Sequence, residues 1–156
     1  TLNVPGIVGL GKACAISRAE MAGESARLTG LRDRLLAGLQ AGIDRVSVNG
    51  SIQHRLPHNL HVTFADVDLA SLVLGIGDIA VSSGSACGSA SAEPSHVLRA
   101  IGADASGTSA SIRFGVGRFT TEEEIDYTVE TFKAAVRRLR DMEPPGTPSD
   151  AHYRRP

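Results

Sequence analysis

At 156 residues, 42% of them apolar and 21% charged, the chain is long enough to bury one core and has the composition of a single ordinary folded domain. A formal net charge of −1 supplies no global field for nucleic acid or an anionic membrane, and 4% aromatics without a tryptophan leaves no platform on which bases could stack. The two cysteines, Cys14 and Cys87, share no CxxC spacing and no histidine cluster, which excludes a zinc motif and a disulfide framework and fits a reducing, cytoplasmic compartment.

No apolar run reaches the length of a membrane span, and no signal peptide is visible. The first residue is Thr rather than Met. The expectation is therefore a fragment, a processed product or half of a larger protein.

Residues 1–6, TLNVPG, read as extended or turn-like, since Pro5 disfavours helix at Val4. A leading helix at about 7–41, or two helices joined near Gly23, follows from Leu28, Leu31, Leu35 and Leu39 at spacings of three and four. Gly42 is its expected stop. Cys14, between two alanines, reads as a small buried thiol.

Arg45–Asn49 alternates and meets Gly50, which predicts a short strand closed by an Asn-Gly turn. Asn59–Phe64 alternates again, with Leu60, Val62 and Phe64 on one face and His61 and Thr63 on the other. The two strands are expected to pair antiparallel across the 50–58 loop. Asp68 caps a predicted helix through Leu69, Leu72, Val73 and Ile76, stopped at Gly77. Ile79–Ser82 reads as a further strand.

Residues 82–93, SSGSACGSASAE, hold one cysteine among five serines and two glycines, with no bulky apolar residue. Such a run cannot bury a face, so it reads as an exposed, mobile loop. It is either a plain linker or a tether that lets the Cys87 thiol reach one place and then another. Pro94 opens a short helix, Ser95–Ile101, stopped by Gly102.

Ser111–Val116 is a strand with Ile112, Phe114 and Val116 on one face and Ser111, Arg113 and Gly115 on the other. Arg113 thus stands on an open sheet face beside small neighbours, either salt-bridged or free for a ligand. Thr121 and Glu124 form a capping box. The helix behind it carries Ile125, Val129, Phe132, Val136 and Leu139 on one stripe, with acidic residues at its start and Arg137, Arg138 and Arg140 at its end. Residues 143–156 are Pro-rich and expected to be disordered.

The order helix–strand–strand–helix–strand–loop–helix–strand–helix predicts an α/β fold: a three- to four-stranded antiparallel or mixed sheet with helices packed on one side. The histidines, His54, His58, His61, His96 and His152, lack ligand spacing and read as unremarkable surface or loop residues. Arg118 reads either as a salt-bridging residue or as one that helps shape a site, the first being the preferred reading.

SSGSAC at 82–87, SASAEPSHVLRAIG at 89–102 and SIRFGVGRFTTEEEID at 111–126 resemble the cysteine desulfurases of the NifS/IscS type. Those are pyridoxal-phosphate enzymes of fold type I in the class V aminotransferase superfamily. TLNVPGIVGLGKA at the start and RLPHNLHVTF at 55–64 resemble the same family, so the likeness covers about residues 1–142. It implies the small C-terminal domain of such an enzyme.

The resemblance implies removal of sulfur from L-cysteine, giving L-alanine and a persulfide on Cys87 as the catalytic nucleophile. It implies that Arg113 binds the substrate carboxylate. It implies that Thr1 contacts the pyridoxal phosphate of a neighbouring subunit in a homodimer. An iron–sulfur scaffold or another sulfur acceptor is the implied partner. The Schiff-base lysine of the family lies upstream of Thr1, and neither Lys12 nor Lys133 matches its motif, so the chain needs the large cofactor domain. The alternatives are a non-catalytic fragment or split half acting as a sulfur carrier or binding module, and a class V aminotransferase-like enzyme without a catalytic thiol.

Overall fold

The computed structural model describes residues 1–83, 95–103 and 109–142. The chain opens with a 39-residue helix, α1 (Val4–Gly42), about 58 Å long at 1.5 Å per residue. It starts earlier than Pro5 suggested. Asn3 caps it, its side chain accepting from Gly6 N at 3.1 Å, and Pro5 falls in the first turn, where no intrahelical N–H is required. The helix runs unbroken through Gly23 and ends when Ile43 turns extended, its N–H still bonded to Leu39 O at 2.9 Å.

Three strands form one sheet in the order β1 (Val46–Val48), β2 (Asn59–Ala65), β3 (Ser109–Gly115), antiparallel throughout. β1 is shorter than Arg45–Asn49 because Arg45 takes the left-handed φ of 56° and pairs with Asp66, itself at φ 53°, at the end of β2. Gly50, at φ 79°, makes the turn expected after Asn49. The register sets Phe64 opposite Ala110, Val62 opposite Ile112 and Leu60 opposite Phe114, all buried.

The run Ile79–Ser82 is not a strand. Its backbone meets β3 only at Ser82, which exchanges both bonds with Arg113 at 3.1 and 2.8 Å, while Ile79 and Val81 turn their side chains onto the core. The short helices α2 (Leu69–Gly75) and α3 (His96–Ala100) are capped by Asp68 and Ser95, and Gly77 and Gly102 follow them at positive φ.

α4 (Glu122–Met142) begins at the predicted box: Thr121 N donates to Glu124 Oε2 at 2.9 Å, and Glu124 N to Thr121 Oγ1 at 3.2 Å. Its stripe Ile125, Val129, Phe132 and Val136 is buried against Leu31, Leu35 and Leu39 of α1 and the inner face of the sheet. Phe132 sits between Phe64 and Phe114, ring centroids 5.5 and 4.9 Å away. Helices thus cover one face of the sheet, as the order of elements required.

Only the second half of α1 joins this core. From Val4 to Gly23 every residue except Ile16 is exposed, Cys14 included. The buried setting expected for Cys14 is therefore wrong: an alanine-flanked thiol is buried only if its own stretch of helix joins a core, and this stretch of α1 lies outside the core of the described residues. No helix among the described residues is long and apolar enough to cross a membrane.

Candidate functional site

The period of two that buries the even-numbered residues of β2 and β3 turns the odd-numbered ones outward. These are Asn59, His61, Thr63 and Ala65 on β2 and Ser109, Ser111, Arg113 and Gly115 on β3, with Ser47 beside them on β1. None is acidic. The middle of this face is a closed polar cluster: Thr63 Oγ1 lies 2.8 Å from Asn49 Nδ2 and 2.7 Å from Ser111 Oγ, and Asn49 and Thr63 are both buried. Those groups satisfy one another and leave nothing for a ligand.

Arg113 differs. Its backbone is held on both sides, by β2 and by Ser82, while its side chain is exposed. Among the described residues its guanidinium has no hydrogen-bond or ion-pair partner. It borders a cleft of about 480 Å³ whose walls include His58, Asn59, Ala80, Ser82 and Gly115. An arginine fixed at its root and, among the described residues, free at its tip and without a carboxylate on its face is suited to an anion arriving from outside.

Two further basic groups share this surface. His61 is the register partner of Arg113, so the two side chains stand side by side. Arg55 closes the 50–58 loop onto the sheet end, donating to Asn49 O at 2.6 Å, Ser51 O at 3.0 Å and Asn59 O at 3.5 Å. Burial, then the charge of Arg113, then that of Arg55 hold the His61 imidazole below its usual range. Reading His61 as an unremarkable surface histidine missed this. The alternation placed it on the open face, but its pairing with Arg113 depends on a register formed across α2 and α3.

The turn after β3 is also tied down. Arg27 of α1 donates to the carbonyls of Gly117, Arg118 and Thr120 at 3.0, 2.6 and 2.9 Å. Arg118 pairs with Glu20 at 2.9 Å and Glu24 at 2.8 Å, the salt-bridging role expected of it. Nothing in the sequence near Arg27 signalled its role, because its three acceptors are backbone atoms distant in the chain.

The other candidate residues do not join Arg113. Cys87 lies outside the described residues. Thr1 precedes α1, and Arg27, beside the end of β3, is about 35 Å along the helix from its first residue, Val4, at 1.5 Å per residue. Thr1 and Arg113 of one chain therefore cannot serve one site. Pyridoxal phosphate does not fit the described residues by themselves: Lys12 is exposed on the free half of α1, Lys133 is paired with Glu130 at 2.8 Å on α4, and Thr1 is a single hydroxyl at the far end of a helix.

The chain is similar in sequence and in fold to known proteins. The chain is 55% identical over 144 residues to the cysteine desulfurase IscS of Anaeromyxobacter sp. (strain K), a match covering 92% of this chain and 36% of that protein. It is 54% identical over 144 residues to the cysteine desulfurase IscS of Methylobacillus flagellatus, covering 92% and 35%. A NifS-like protein from Rickettsia africae shares the fold with a TM-score of 0.73 at 25% identity, over 88% of this chain and 36% of that structure. The chain thus spans about a third of the length of these relatives. Residues 1–128, a stretch that includes α1, the whole sheet and Arg113, match Aminotransferase class-V, and the chain belongs to that family.

Proposed function

We propose that this chain is the substrate-binding and sulfur-receiving part of a cysteine desulfurase. The observation that carries the reading is Arg113, whose guanidinium borders a cleft on the open sheet face and has neither a partner nor a neighbouring carboxylate on that face among the described residues. The likeness to proteins named cysteine desulfurase IscS supports it.

In this reading Arg113 binds both carboxylate oxygens of L-cysteine and so fixes the direction of the substrate thiol. The Cys87 thiolate attacks the substrate sulfur. A sulfur–sulfur bond forms on Cys87, the substrate's carbon–sulfur bond breaks, and the carbon takes a proton to become the methyl group of L-alanine. Pyridoxal phosphate, brought by the remainder of the protein, would supply the electron sink for that cleavage. A homodimer with Thr1 near a neighbouring subunit's cofactor, transfer of the persulfide sulfur to an acceptor such as an iron–sulfur scaffold, and a cytoplasmic setting complete the reading.

The test uses the full-length protein. Cys87→Ser abolishes persulfide and alanine formation, and Arg113→Lys, which cannot form the two-pronged contact, raises KM for L-cysteine by about tenfold or more. An unchanged KM in Arg113→Ala, or undiminished sulfur release in Cys87→Ser, overturns the proposal. If persulfide forms on Cys87 only when a separate enzyme supplies it, the chain is a sulfur carrier instead.

A further inference from the structure

We infer that His61 is a second carboxylate-facing residue of the Arg113 site, and that it takes up a proton when a carboxylate binds there. The inference deepens the proposed function and rests on its placement of the substrate carboxylate at Arg113.

The geometry begins with the register. His61 and Arg113 are directly opposed on adjacent antiparallel strands, and both project from the open face. Directly opposed residues hold their β-carbons roughly 5 Å apart. An anion on the guanidinium therefore comes within a few ångströms of the imidazole. His61 is half-buried, so its charge is poorly screened by water, and among the described residues its imidazole has no hydrogen-bond partner.

The charges around His61 all have one sign. Arg113 faces it from β3 and Arg55 from the 50–58 loop. From the β1 side the neighbour is Asn49, which is uncharged and contributes its N–H to His61 O at 2.9 Å. The diagonal neighbours Ser111 and Gly115 carry no charge, and no carboxylate stands on this face among the described residues. The site thus holds two permanent cations, Arg113 and Arg55, and both disfavour the charged form of His61.

A bound carboxylate reverses the balance. Its charge offsets that of Arg113, the largest charge acting on the imidazole, and its oxygens offer the imidazolium an acceptor. The proton comes from solvent and enters at a ring nitrogen of His61. By linkage, a group whose proton affinity rises on binding makes binding tighter as pH falls. The window runs between the lowered value of the site without a carboxylate and the higher value of the occupied one.

The experiment uses the full-length protein and propionate, a carboxylate with neither thiol nor amine to confuse the proton count. Propionate affinity is measured from pH 8 to pH 5.5, and the His61 imidazole is followed by NMR with ¹³C-labelled histidine. The wild type should bind about three- to tenfold more tightly at the acid end, a tenfold change corresponding to one pKa unit, with the His61 titration moving upward when propionate is present. His61→Asn should show no acid gain, whatever its affinity at pH 8. An acid gain that persists in His61→Asn, or a His61 titration indifferent to bound propionate, overturns the inference and leaves Arg113 untouched. Undiminished propionate binding in Arg113→Ala overturns the carboxylate site itself.

Discussion

Gly38 of α1 and Val129 of α4 approach so closely that a β-carbon on Gly38 would lie 2.7 Å from Val129 Cγ2 and 3.0 Å from Cγ1. No ordinary contact is that short. The glycine costs α1 about 1 kcal/mol in helix propensity relative to alanine, and what it gains is a closer seat for α4 over the sheet. Gly38→Ala is expected to recover that propensity and lose more by overpacking, about 1–3 kcal/mol, giving a small net loss in urea denaturation of the protein. Adding Val129→Ala should relieve the clash, so the double variant should be more stable than the two single effects sum to. A purely stabilising Gly38→Ala would show that α4 moves freely against α1.

Phe132 extends that contact into the sheet. It is fully buried, and its ring meets Phe64 of β2 and Phe114 of β3. Phe132→Ala should cost about 3–5 kcal/mol, the usual range for removing a core aromatic, and Phe132→Leu less than half as much. Phe114 precedes Gly115 at the cleft and follows Arg113, so the cavity left by alanine lies directly beneath the candidate site. Both variants are compared by denaturant midpoint. A loss below 1 kcal/mol for the alanine variant would mean the three rings are not a packed unit.

The parts of this fold that could be read directly are those whose causes are local. α4 announces itself because Thr121 and Glu124 are three residues apart and the stripe behind them repeats with the helix. Arg113 could be placed on an open face because alternation within one strand needs no partner. Long-range causes were invisible. Val81 looks like strand residue and packs on the core instead, because only Ser82 reaches β3. Cys14 looks like a core residue and is exposed, on a half of α1 that lies outside the core of the described residues. The start of α1 was misread from Pro5, whose local penalty vanishes in the first turn once Asn3 supplies the cap. His61 acquired its interest only from the register that sets it against Arg113.

Asp68 provides a pH test that is independent of the site. Its carboxylate accepts from Ser71 N at 2.8 Å as the cap of α2. That backbone bond first, and the Ser71 hydroxyl second, hold it below the usual carboxylate range. A carboxyl whose folded value is depressed stabilises the fold above its unfolded value, and that contribution disappears as pH falls through the folded one. Asp68→Ala should therefore cost about 1 kcal/mol at pH 7 and progressively less below about pH 4. Asp68→Asn keeps an acceptor at the cap but not the charge, so at pH 7 it should cost less than alanine without being neutral. Urea denaturation at pH 7 and pH 3 separates the two. An alanine penalty that is the same at both values would show that the charge of the cap contributes nothing.

Arg27 offers the sharpest test of how the end of β3 is held. One guanidinium spans the carbonyls of Gly117, Arg118 and Thr120, and within that turn Gly117 N donates to Thr120 Oγ1 at 3.0 Å. The planar fork reaches several acceptors at once, whereas an ammonium on a lysine is a single point of contact. Arg27→Ala and Arg27→Lys should therefore both speed amide hydrogen exchange in a peptide spanning residues 116–121, by about tenfold for each 1.4 kcal/mol lost from the closed turn. The second half of α4, anchored by its own buried stripe, should exchange as before. Because Gly115 lies at the cleft two residues before the clamped turn, a looser turn should also weaken propionate binding at Arg113. Lysine behaving like arginine in the exchange measurement would show that charge alone holds the turn, and unchanged exchange in the alanine variant would show that the three contacts hold nothing that β3 does not hold already.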